Sequence, residues 1–561
     1  MKEKIRHLIQ NTLHDLNVSG ADFSVEHTAD FSHGDYATNV ALVSAKAVKT
    51  SPHALAEKIA GHLETKLPSE IEKVEVAGAG FINFTLSAAF LSVALKNAAS
   101  SPNTFGNATT HANTKVIVEY TDPNPFKEFH IGHLMSNTIG EAISRLIASR
   151  GAEVKRACYQ GDVGLHVAKA LYGAKQANPK NASEWGKAYA LGASLYEENE
   201  SAKKEIEIIN KAIYERNDSV LNALYDGGRK VSLEYFETIY KRLGTHFDFY
   251  FFESEMSKPG LTLVREFLKK GVFEESNGVL VFKAEKYNTK LHTRVYITSQ
   301  GLPTYETKEL GLHFTKAKTY PADQSIIITA NEQDSVYAVG LEALRHIDPK
   351  LFEKTKHLSH GMLRLPTGKM SSRTGNVITA EWLIDEVKGK VREKIAERDF
   401  APDEKEKITE AVAIAAIKYS ILRQAVGGDI IFDFEKSISF EGDSGPYLQY
   451  AYVRAMSVLQ KAQTAEVRGT DAESAAADGN IELARRLVRF PDVVARAAEE
   501  YAPHYLVTYL TEFASAFNNF YARVKIIGSP DEAALLALTR AVSTVLKNGL
   551  TLLGMPVVER M

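Results

Sequence analysis

One stretch of the chain decides the fold: residues 116–151, which read VIVEYTDPNPFKEFHIGHLMSNTIGEAISRLIASRG. It opens with a short apolar, β-branched run typical of a buried strand, and a loop with two prolines follows. Apolar residues then recur at the helical period until Gly151, a favourable helix stop. A strand, a tight loop and a helix N-terminus form a seat for phosphate, because unpaired amides and the positive end of the helix dipole face the ligand.

The predicted helix begins with His130-Ile131-Gly132-His133. Gly132 lets a nucleotide approach the backbone closely, and the two imidazoles can donate to phosphate oxygens. In an alternative interpretation, His130 or His133 only caps the helix. The position after a strand and before a helix favours the phosphate site.

Strand and helix patterns continue to alternate after this unit. Further strands are predicted at 154–159, 294–298, 325–330 and 357–365, separated by a mostly helical insertion at about 172–282. This order predicts an α/β domain with a Rossmann-type, doubly wound parallel sheet, which binds ligands at the carboxyl ends of its strands.

A second candidate motif directly follows the last predicted strand: residues 366–376, PTGKMSSRTGN. Glycines on both sides, with Ser and Thr between them, predict a mobile cationic lid suited to a triphosphate. An ordinary basic turn is the alternative. The lid would contribute Lys369, Met370 and Ser371.

The two motifs resemble the HIGH and KMSKS signatures of class I aminoacyl-tRNA synthetases. The longer string from Glu119 to His133 resembles the arginyl-tRNA synthetase version in particular. One departure is that Ser372 stands where the family pattern has a second lysine. By resemblance, Lys127 compensates for it, three residues before HIGH. How charge stabilisation divides among Lys127, Lys369 and Arg373 stays open.

The resemblance implies attack of an amino-acid carboxylate on the α-phosphorus of ATP, a reaction that depends on positioning and charge stabilisation. The residues expected to be catalytic are Lys127, His130, His133 and Lys369. The residues expected to bind ATP are His130, Gly132, His133, Gly161, Asp162, Gly164, Met362, Leu363, Lys369, Met370 and Ser371. For Asp162, a contact with a ribose hydroxyl and a helix N-cap are equally plausible readings.

Recognition of arginine requires carboxylates, because a guanidinium is planar, always charged and best satisfied by bidentate acceptors. Glu119, at the end of the first predicted strand, and Glu309 are candidate partners. By resemblance, Tyr305, Glu309 and Gln333 hold the arginine side chain, and Asn124 holds the amino or carboxylate end. Tyr305 and Glu309 are four residues apart, hence on one helical face. The alternative for Glu309 is a solvated helix charge.

The chain is too long for one core, and three domains are predicted: 1–112, 113–385 and 386–561. The first is an α+β unit with a turn entering a helix at 33–39 and a hairpin at 74–84. The last is an all-helical bundle without strands. By resemblance, both bind tRNA, through Phe81, Asn83, Tyr447, Arg454 and Tyr521, although the domain core is the alternative location for each aromatic.

Composition limits the remaining possibilities. A net charge of -3 does not indicate a nucleic-acid partner, so tRNA contacts must come from local patches. One cysteine excludes an internal disulfide and a Cys-rich zinc site, and fits the cytoplasm. Neither a signal peptide nor a membrane span is predicted. We therefore expect a cytoplasmic monomer that uses ATP with Mg²⁺ and no zinc or organic cofactor.

Two other functions compete with arginine–tRNA ligation. The chain could be another HIGH-type nucleotidyl transferase or a synthetase for a different amino acid. It could also be a synthetase-like paralogue that binds RNA without catalysis. The intact HIGH motif, Lys127 and the KMS triplet argue against the paralogue.

Overall fold

The computed structural model describes residues 1–19, 22–366, 378–464 and 481–561. Lys369, Met370 and Ser371, which are predicted to form the lid, lie outside the described residues. Among the residues that are described, no helix is both long and apolar enough to cross a membrane.

The N-terminal part is an antiparallel sheet with helices packed on it. Its elements are α1 (Lys2–Asp15), β1 (Val25–His27), β2 (Tyr36–Thr38), α2 (Val40–Ser44), α3 (Pro52–Glu64), β3 (Ile71–Ala77), β4 (Phe81–Leu86) and α4 (Ala88–Ser100). The strand order is β1-β2-β4-β3, and the antiparallel pairing of β3 with β4 confirms the predicted hairpin. The predicted turn at 33–39 is wrong in part, because Tyr36 and Thr38 are buried at the period of two that makes strand β2.

The remaining elements build the central sheet, its helices and a C-terminal bundle. The strands are β5 (Lys115–Glu119), β6 (Glu153–Gln160), β7 (Phe249–Phe252), β8 (Glu274–Ser276), β9 (Val279–Phe282), β10 (Arg294–Ile297), β11 (Gln324–Ala330), β12 (Thr355–His360), β13 (Leu363–Arg364) and β14 (Ile430–Ile431). The helices are α5 (Ile131–Ser149), α6 (Leu165–Ala177), α7 (Ala182–Glu198), α8 (Glu200–Glu215), α9 (Ser219–Leu243), α10 (Glu253–Lys269), α11 (Tyr305–Thr319), α12 (Asp334–Ile347), α13 (Pro349–Lys354), α14 (Ala380–Lys394), α15 (Pro402–Leu422), α16 (Phe434–Ser437), α17 (Gly445–Thr464), α18 (Ile481–Val488), α19 (Phe490–Glu499), α20 (His504–Arg523) and α21 (Glu532–Leu552).

The predicted parallel sheet is confirmed. Five strands lie in the order β12-β11-β5-β6-β7, and each neighbouring pair is parallel. The chain proceeds from β5 to β6 and β7 on one side, while β11 and β12 lie on the other. The carboxyl ends of β5 and β11 are thus the switch point of the sheet, where doubly wound folds bind their ligands.

Two strand assignments within this region were wrong. The predicted insertion at 172–282 contains β7, a run of four aromatic residues that pairs in parallel with β6 and completes the main sheet. Strand β10, predicted to belong to the parallel sheet, instead joins β8 and β9 in a separate antiparallel sheet. Asn277 and Gly278 both have positive φ and form the tight turn between β8 and β9, which made this hairpin readable from the sequence.

Three further boundaries differ from the prediction, one at the end of the central domain and two in the helical C-terminal region. Strand β14 pairs in parallel with β13, so strands do not end at Ala380 as predicted. The predicted strand at 357–365 divides into β12 and β13 at Gly361, where a Cβ atom would lie 2.3 Å from the backbone of Gly428. The predicted helix at 481–500 is two helices, α18 and α19, because Pro491 in the first turn of α19 lacks an N–H donor.

Candidate active site

Helix α5 begins at the carboxyl end of β5 with the two predicted histidines. The Nδ1 atom of His130 accepts from the N–H of Gly132 at 3.1 Å, and the N–H of His130 donates to Nδ1 of His133 at 3.3 Å. The rings are stacked, with centroids 3.6 Å apart. Both histidines therefore cap the helix, and each neutral ring carries its proton on Nε2, where it can donate to a ligand.

The electrostatic state of these histidines follows from burial. Burial lowers the pKa of His130 to about 4 and places the pKa of His133 well below its usual range. Both rings are thus neutral donors at neutral pH. A Cβ atom on Gly132 would lie 2.9 Å from the ring of His130, so only glycine allows this close packing.

Lys127 provides a cation near the two histidines. Its ammonium lies 4.4 Å from the centre of the Tyr189 ring. Burial and the nearby charge of Lys169 lower its pKa to about 8, while Glu253 acts in the opposite direction. Lys127 is therefore mostly charged at neutral pH and close to its titration range.

The predicted carboxylates lie in a buried recess at the switch point. Glu119, the last residue of β5, forms an ion pair with Lys316 of α11, with 2.6 Å between Oε2 and Nζ. Glu309, also on α11, accepts from the Tyr337 hydroxyl at 3.3 Å. The other carboxylate oxygen of each, Oε1, has no hydrogen-bond partner among the described residues. Burial and repulsion by Glu119 raise the pKa of Glu309 to about 8.

These groups can accept a cation. Asp122 adds a third carboxyl group whose pKa is raised by burial and by Glu119 and Glu309. Lys316 supplies one positive charge to this cluster, so the recess has unsatisfied acceptors and an excess of potential negative charge. The solvated-charge alternative for Glu309 is wrong, because its side chain is buried.

The other residues predicted to bind arginine lie on three separate elements: the start of α11, the loop between β5 and α5, and the turn after β11. The hydroxyls of Tyr305 and Tyr337 lie 3.3 Å apart, and Tyr305 lines a cavity of about 520 Å³ together with Gly164. A Cβ atom on Gly161 would lie 2.2 Å from Oδ1 of Asn124, which shows how tightly this amide covers the glycine turn. Gln333 is half-buried in a short 3₁₀ helix, Asn331–Gln333, directly after β11.

Asp162 does not match either of its predicted roles. Gly164, and not Asp162, is the N-cap of α6. The Asp162 carboxylate is fully buried and accepts from Arg229, from Tyr225 and from both the N–H and the hydroxyl of Ser254. Because four protein donors already occupy this carboxylate, its geometry does not support a contact with a ribose hydroxyl.

The predicted adenine contacts at 362–363 also find other partners. The N–H of Met362 donates to Asp429 at 2.8 Å, and its carbonyl accepts from the N–H of Ile430 at 2.8 Å. Leu363 is buried in β13. The backbone of Met362 is therefore engaged within the protein, and its geometry does not support adenine binding in this conformation.

Four charged residues of the site were missed in the sequence: Asp122, Glu253, Lys308 and Lys316. Lys316 pairs with Glu119, and Lys308 forms a buried ion pair with Glu253. Lys308 and Lys316 could have been found from their spacing, since Lys308 follows Tyr305 by three positions and Lys316 follows Glu309 by seven. No sequence pattern distinguished Glu253.

The residues predicted to bind tRNA divide between surface and interior. Phe81 is 44% exposed at the start of β4, so the core alternative for it is wrong. Asn83 is only 8% exposed, and its burial does not support a direct base contact. Tyr447 and Arg454 line a cavity of about 460 Å³ in the C-terminal bundle. The Arg454 guanidinium lies 5.0 Å from the ring of Tyr521, which is 39% exposed.

No cluster of three or more His, Cys, Asp or Glu side chains suited to a metal ion occurs within the described ranges.

Comparisons with known proteins agree with the fold. Residues 94–434 match the family described as tRNA synthetases class I (R), catalytic domain. Residues 3–86 match the Arginyl tRNA synthetase N terminal domain, and residues 448–561 match the DALR anticodon binding domain.

Several known proteins are similar to this chain over nearly its full length. The arginine–tRNA ligase of Clostridium acetobutylicum is 30% identical over 561 residues, which cover 98% of each chain. The structure of the arginyl-tRNA synthetase of Thermus thermophilus superposes with a TM-score of 0.84 at 26% identity and full coverage of both chains. That of Plasmodium falciparum, at 20% identity, has the same fold with a TM-score of 0.80, covering 100% of this chain and 99% of the other. The chain therefore belongs to the class I arginyl-tRNA synthetases.

Proposed function

We propose that the chain activates L-arginine with ATP to arginyl-adenylate and diphosphate, and transfers arginine to the 3′-terminal adenosine of tRNA(Arg). Membership of the family supports this reaction. The observation that carries the substrate assignment is the pair of buried Oε1 atoms of Glu119 and Glu309, which lack partners among the described residues. Unsatisfied buried carboxylate oxygens are costly unless a ligand supplies donors, and a guanidinium supplies five.

Arginine would lie with its side chain toward the sheet and its reacting carboxylate toward α5. Glu309 and Glu119 would accept from the guanidinium, and the hydroxyl of Tyr305 would contact the same end of the substrate. Gln333 would also contact the side chain of the substrate, and Asn124 would hold its amino or carboxylate end. Because Lys316 retains one oxygen of Glu119, Glu309 would supply most of the negative charge that faces the guanidinium.

ATP, taken as its Mg²⁺ complex, would place its phosphates at the N-terminus of α5. The backbone amides there and the Nε2 protons of His130 and His133 would donate to the phosphate oxygens. Lys127 would neutralise part of the charge that develops at the α-phosphorus, together with Lys369 of the lid motif. Neither histidine is required as a base, because the substrate carboxylate is already ionised at neutral pH.

The tRNA would contact three parts of the chain, corresponding to residues 1–112, 113–385 and 386–561. Phe81 offers an exposed ring on which an unpaired base can stack. Tyr447, Arg454 and Tyr521 offer a second such surface in the bundle. We further propose that the enzyme acts as a monomer in the cytoplasm, in line with its single, buried cysteine.

Aminoacylation of bulk tRNA with each of the twenty amino acids tests the assignment. Only arginine should be attached, and exchange of pyrophosphate into ATP should require tRNA. If another amino acid is attached instead, the assignment of arginine as the substrate is refuted. Tight tRNA binding without any charging would favour the non-catalytic paralogue.

A further inference from the structure

The loop between β5 and α5 contains a turn in an unfavourable backbone conformation. Thr121 and Asp122 have φ values of +82° and +45°. Positive φ is rare for residues other than glycine, and it is especially unfavourable for a β-branched residue such as threonine. The turn lies between Glu119 and Asn124, so its shape sets the distance between two of the residues proposed to contact arginine.

Helix α5 holds this turn from one side. The N–H of Thr121 donates to the Ser136 hydroxyl at 2.9 Å, and Nδ2 of Asn137 donates to the Thr121 hydroxyl at 3.0 Å. Asn137 is fully buried, and its Oδ1 accepts from the hydroxyl of Thr245 at 2.9 Å. Thr245 therefore fixes the orientation of the amide that supports Thr121.

The C-terminal bundle holds Thr245 from the other side. Lys418, in the middle of α15, is 1% exposed, and its ammonium donates to the carbonyls of Leu243 and Gly554, each at 2.7 Å. Leu243 is the last residue of α9, two positions before Thr245. Arg145 also connects this segment to the bundle, because its guanidinium donates to the carbonyls of Gly244 and Thr551 at 3.1 and 2.9 Å.

An apolar side chain could fill the volume of Lys418 without the cost of burying a charge. What the amino group of Lys418 adds is a fixed position for two carbonyls at the ends of helices α9 and α21, to which it donates. The result is a continuous series of buried hydrogen bonds from α15 through residues 243–245 and Asn137 to Thr121.

We propose that Lys418, Thr245 and Asn137 are positioning residues for the arginine site, which hold the Thr121–Asp122 turn in its left-handed conformation. This role rests on the proposed function. The helical bundle thereby contributes to arginine binding although none of its described residues was predicted to contact arginine. Loss of a link would let the turn relax and would change the separation of Glu119 and Asn124.

The test measures KM for arginine, ATP and tRNA separately in aminoacylation. Thr245→Val removes one hydroxyl at nearly constant volume and should raise KM for arginine about fivefold, the equivalent of one buried hydrogen bond. Lys418→Met should act in the same direction. KM for ATP should stay within about twofold of the wild-type value for both variants. Lys407→Met, at an exposed position on the same helix, is the matched control and should change none of the three.

A double-mutant cycle separates positioning from a general loss of stability. Glycine adopts positive φ without strain, so in a Thr121→Gly background Thr245→Val should change KM for arginine less than about twofold. Equal increases in all three KM values, a lower melting temperature with unchanged KM for arginine, or additive effects of the two substitutions would overturn the positioning role. If Lys418→Met fails to fold, Thr245→Val and the cycle decide the outcome. If the wild-type protein does not charge arginine, the proposed function is refuted. In that case, KM for the amino acid that is charged, compared between the wild-type protein and the same variants, still tests the positioning role.

Discussion

Glu309→Gln is the substitution that tests the proposed arginine site most directly. Glu309 is buried, and one of its carboxylate oxygens has no partner among the described residues. Glutamine keeps the size of the side chain and the contact with Tyr337, but it removes the charge and half of the acceptor capacity. Arginine would then face Glu119 alone, and Lys316 already occupies one oxygen of Glu119.

The expected loss of arginine affinity follows from the guanidinium charge that remains unpaired in the variant. Removing one partner of a buried, hydrogen-bonded charge pair costs about 2–5 kcal/mol, so KM for arginine should rise at least about 30-fold. KM for ATP should stay near the wild-type value, because the phosphates would lie at α5. Glu353→Gln, at an exposed position, is the matched control and should leave both constants unchanged.

The pH dependence provides a second, independent readout. Burial and Glu119 raise the pKa of Glu309 to about 8, so in the free enzyme this carboxyl group is protonated at lower pH. Because the guanidinium binds the ionised form, arginine affinity should weaken about tenfold for each pH unit below that pKa and level off above it. Glu309→Gln should abolish this slope. Calorimetry in two buffers of different ionisation enthalpy measures the proton released on binding.

As pH rises, the stability of the free enzyme should fall while its affinity for arginine increases. The folded-state pKa of Glu309 lies above the usual value of 4.5, at about 8, so the native state holds a proton that the unfolded state releases between these values. This contribution to stability is present at low pH and is lost as pH rises through that window. In the absence of arginine, and at pH values above the usual carboxyl pKa of 4.5, Glu309→Gln should therefore have a higher melting temperature than the wild-type protein. An unchanged arginine KM, or a pH slope that survives the substitution, would refute the assigned role of Glu309.

Other predictions concern Lys127, the contact between Gly161 and Asn124, and the residues proposed to bind tRNA. Because burial lowers the pKa of Lys127 to about 8, kcat/KM for ATP should decline as pH rises through that value. Lys127→Met should remove this decline. If the variant keeps the pH profile of the wild-type enzyme, Lys127 does not take part in the activation step. Gly161→Ala places a Cβ atom 2.2 Å from Asn124 and should raise KM for arginine, whereas a normal KM would show that Asn124 does not hold the substrate. Arg454→Ala and Phe81→Ala should each raise KM for tRNA by about tenfold or more and leave KM for arginine unchanged, as measured by aminoacylation at varied tRNA concentration. A rise in KM for arginine in either variant would contradict their assignment to tRNA.

The sequence predicted the units of the fold that depend on near neighbours. The strand, loop and helix around His130 follow from periodicity, and the same local order explains why Glu119 lies at the end of a strand beside the helix N-terminus. The spacing of Tyr305 and Glu309 placed both on one face of α11. Local patterns failed where pairing was decided elsewhere. The short strand β7 belongs to the main sheet because β6 is available to pair with it, and β10 leaves that sheet because the β8–β9 hairpin captures it.

The tertiary structure alone decided which charges remain available to a substrate. Asp162 was predicted to face the nucleotide, yet Arg229 and Ser254, distant in sequence, consume its acceptor capacity. Glu119 is half occupied by Lys316, 197 residues away. No local pattern encodes these partners, because each carboxylate in a sequence can pair with many cations until packing brings one within reach. The sequence alone identifies the residue types of the active site. Contacts between distant segments decide which of their hydrogen-bonding atoms and charges remain unpaired, and therefore decide the role of Glu309.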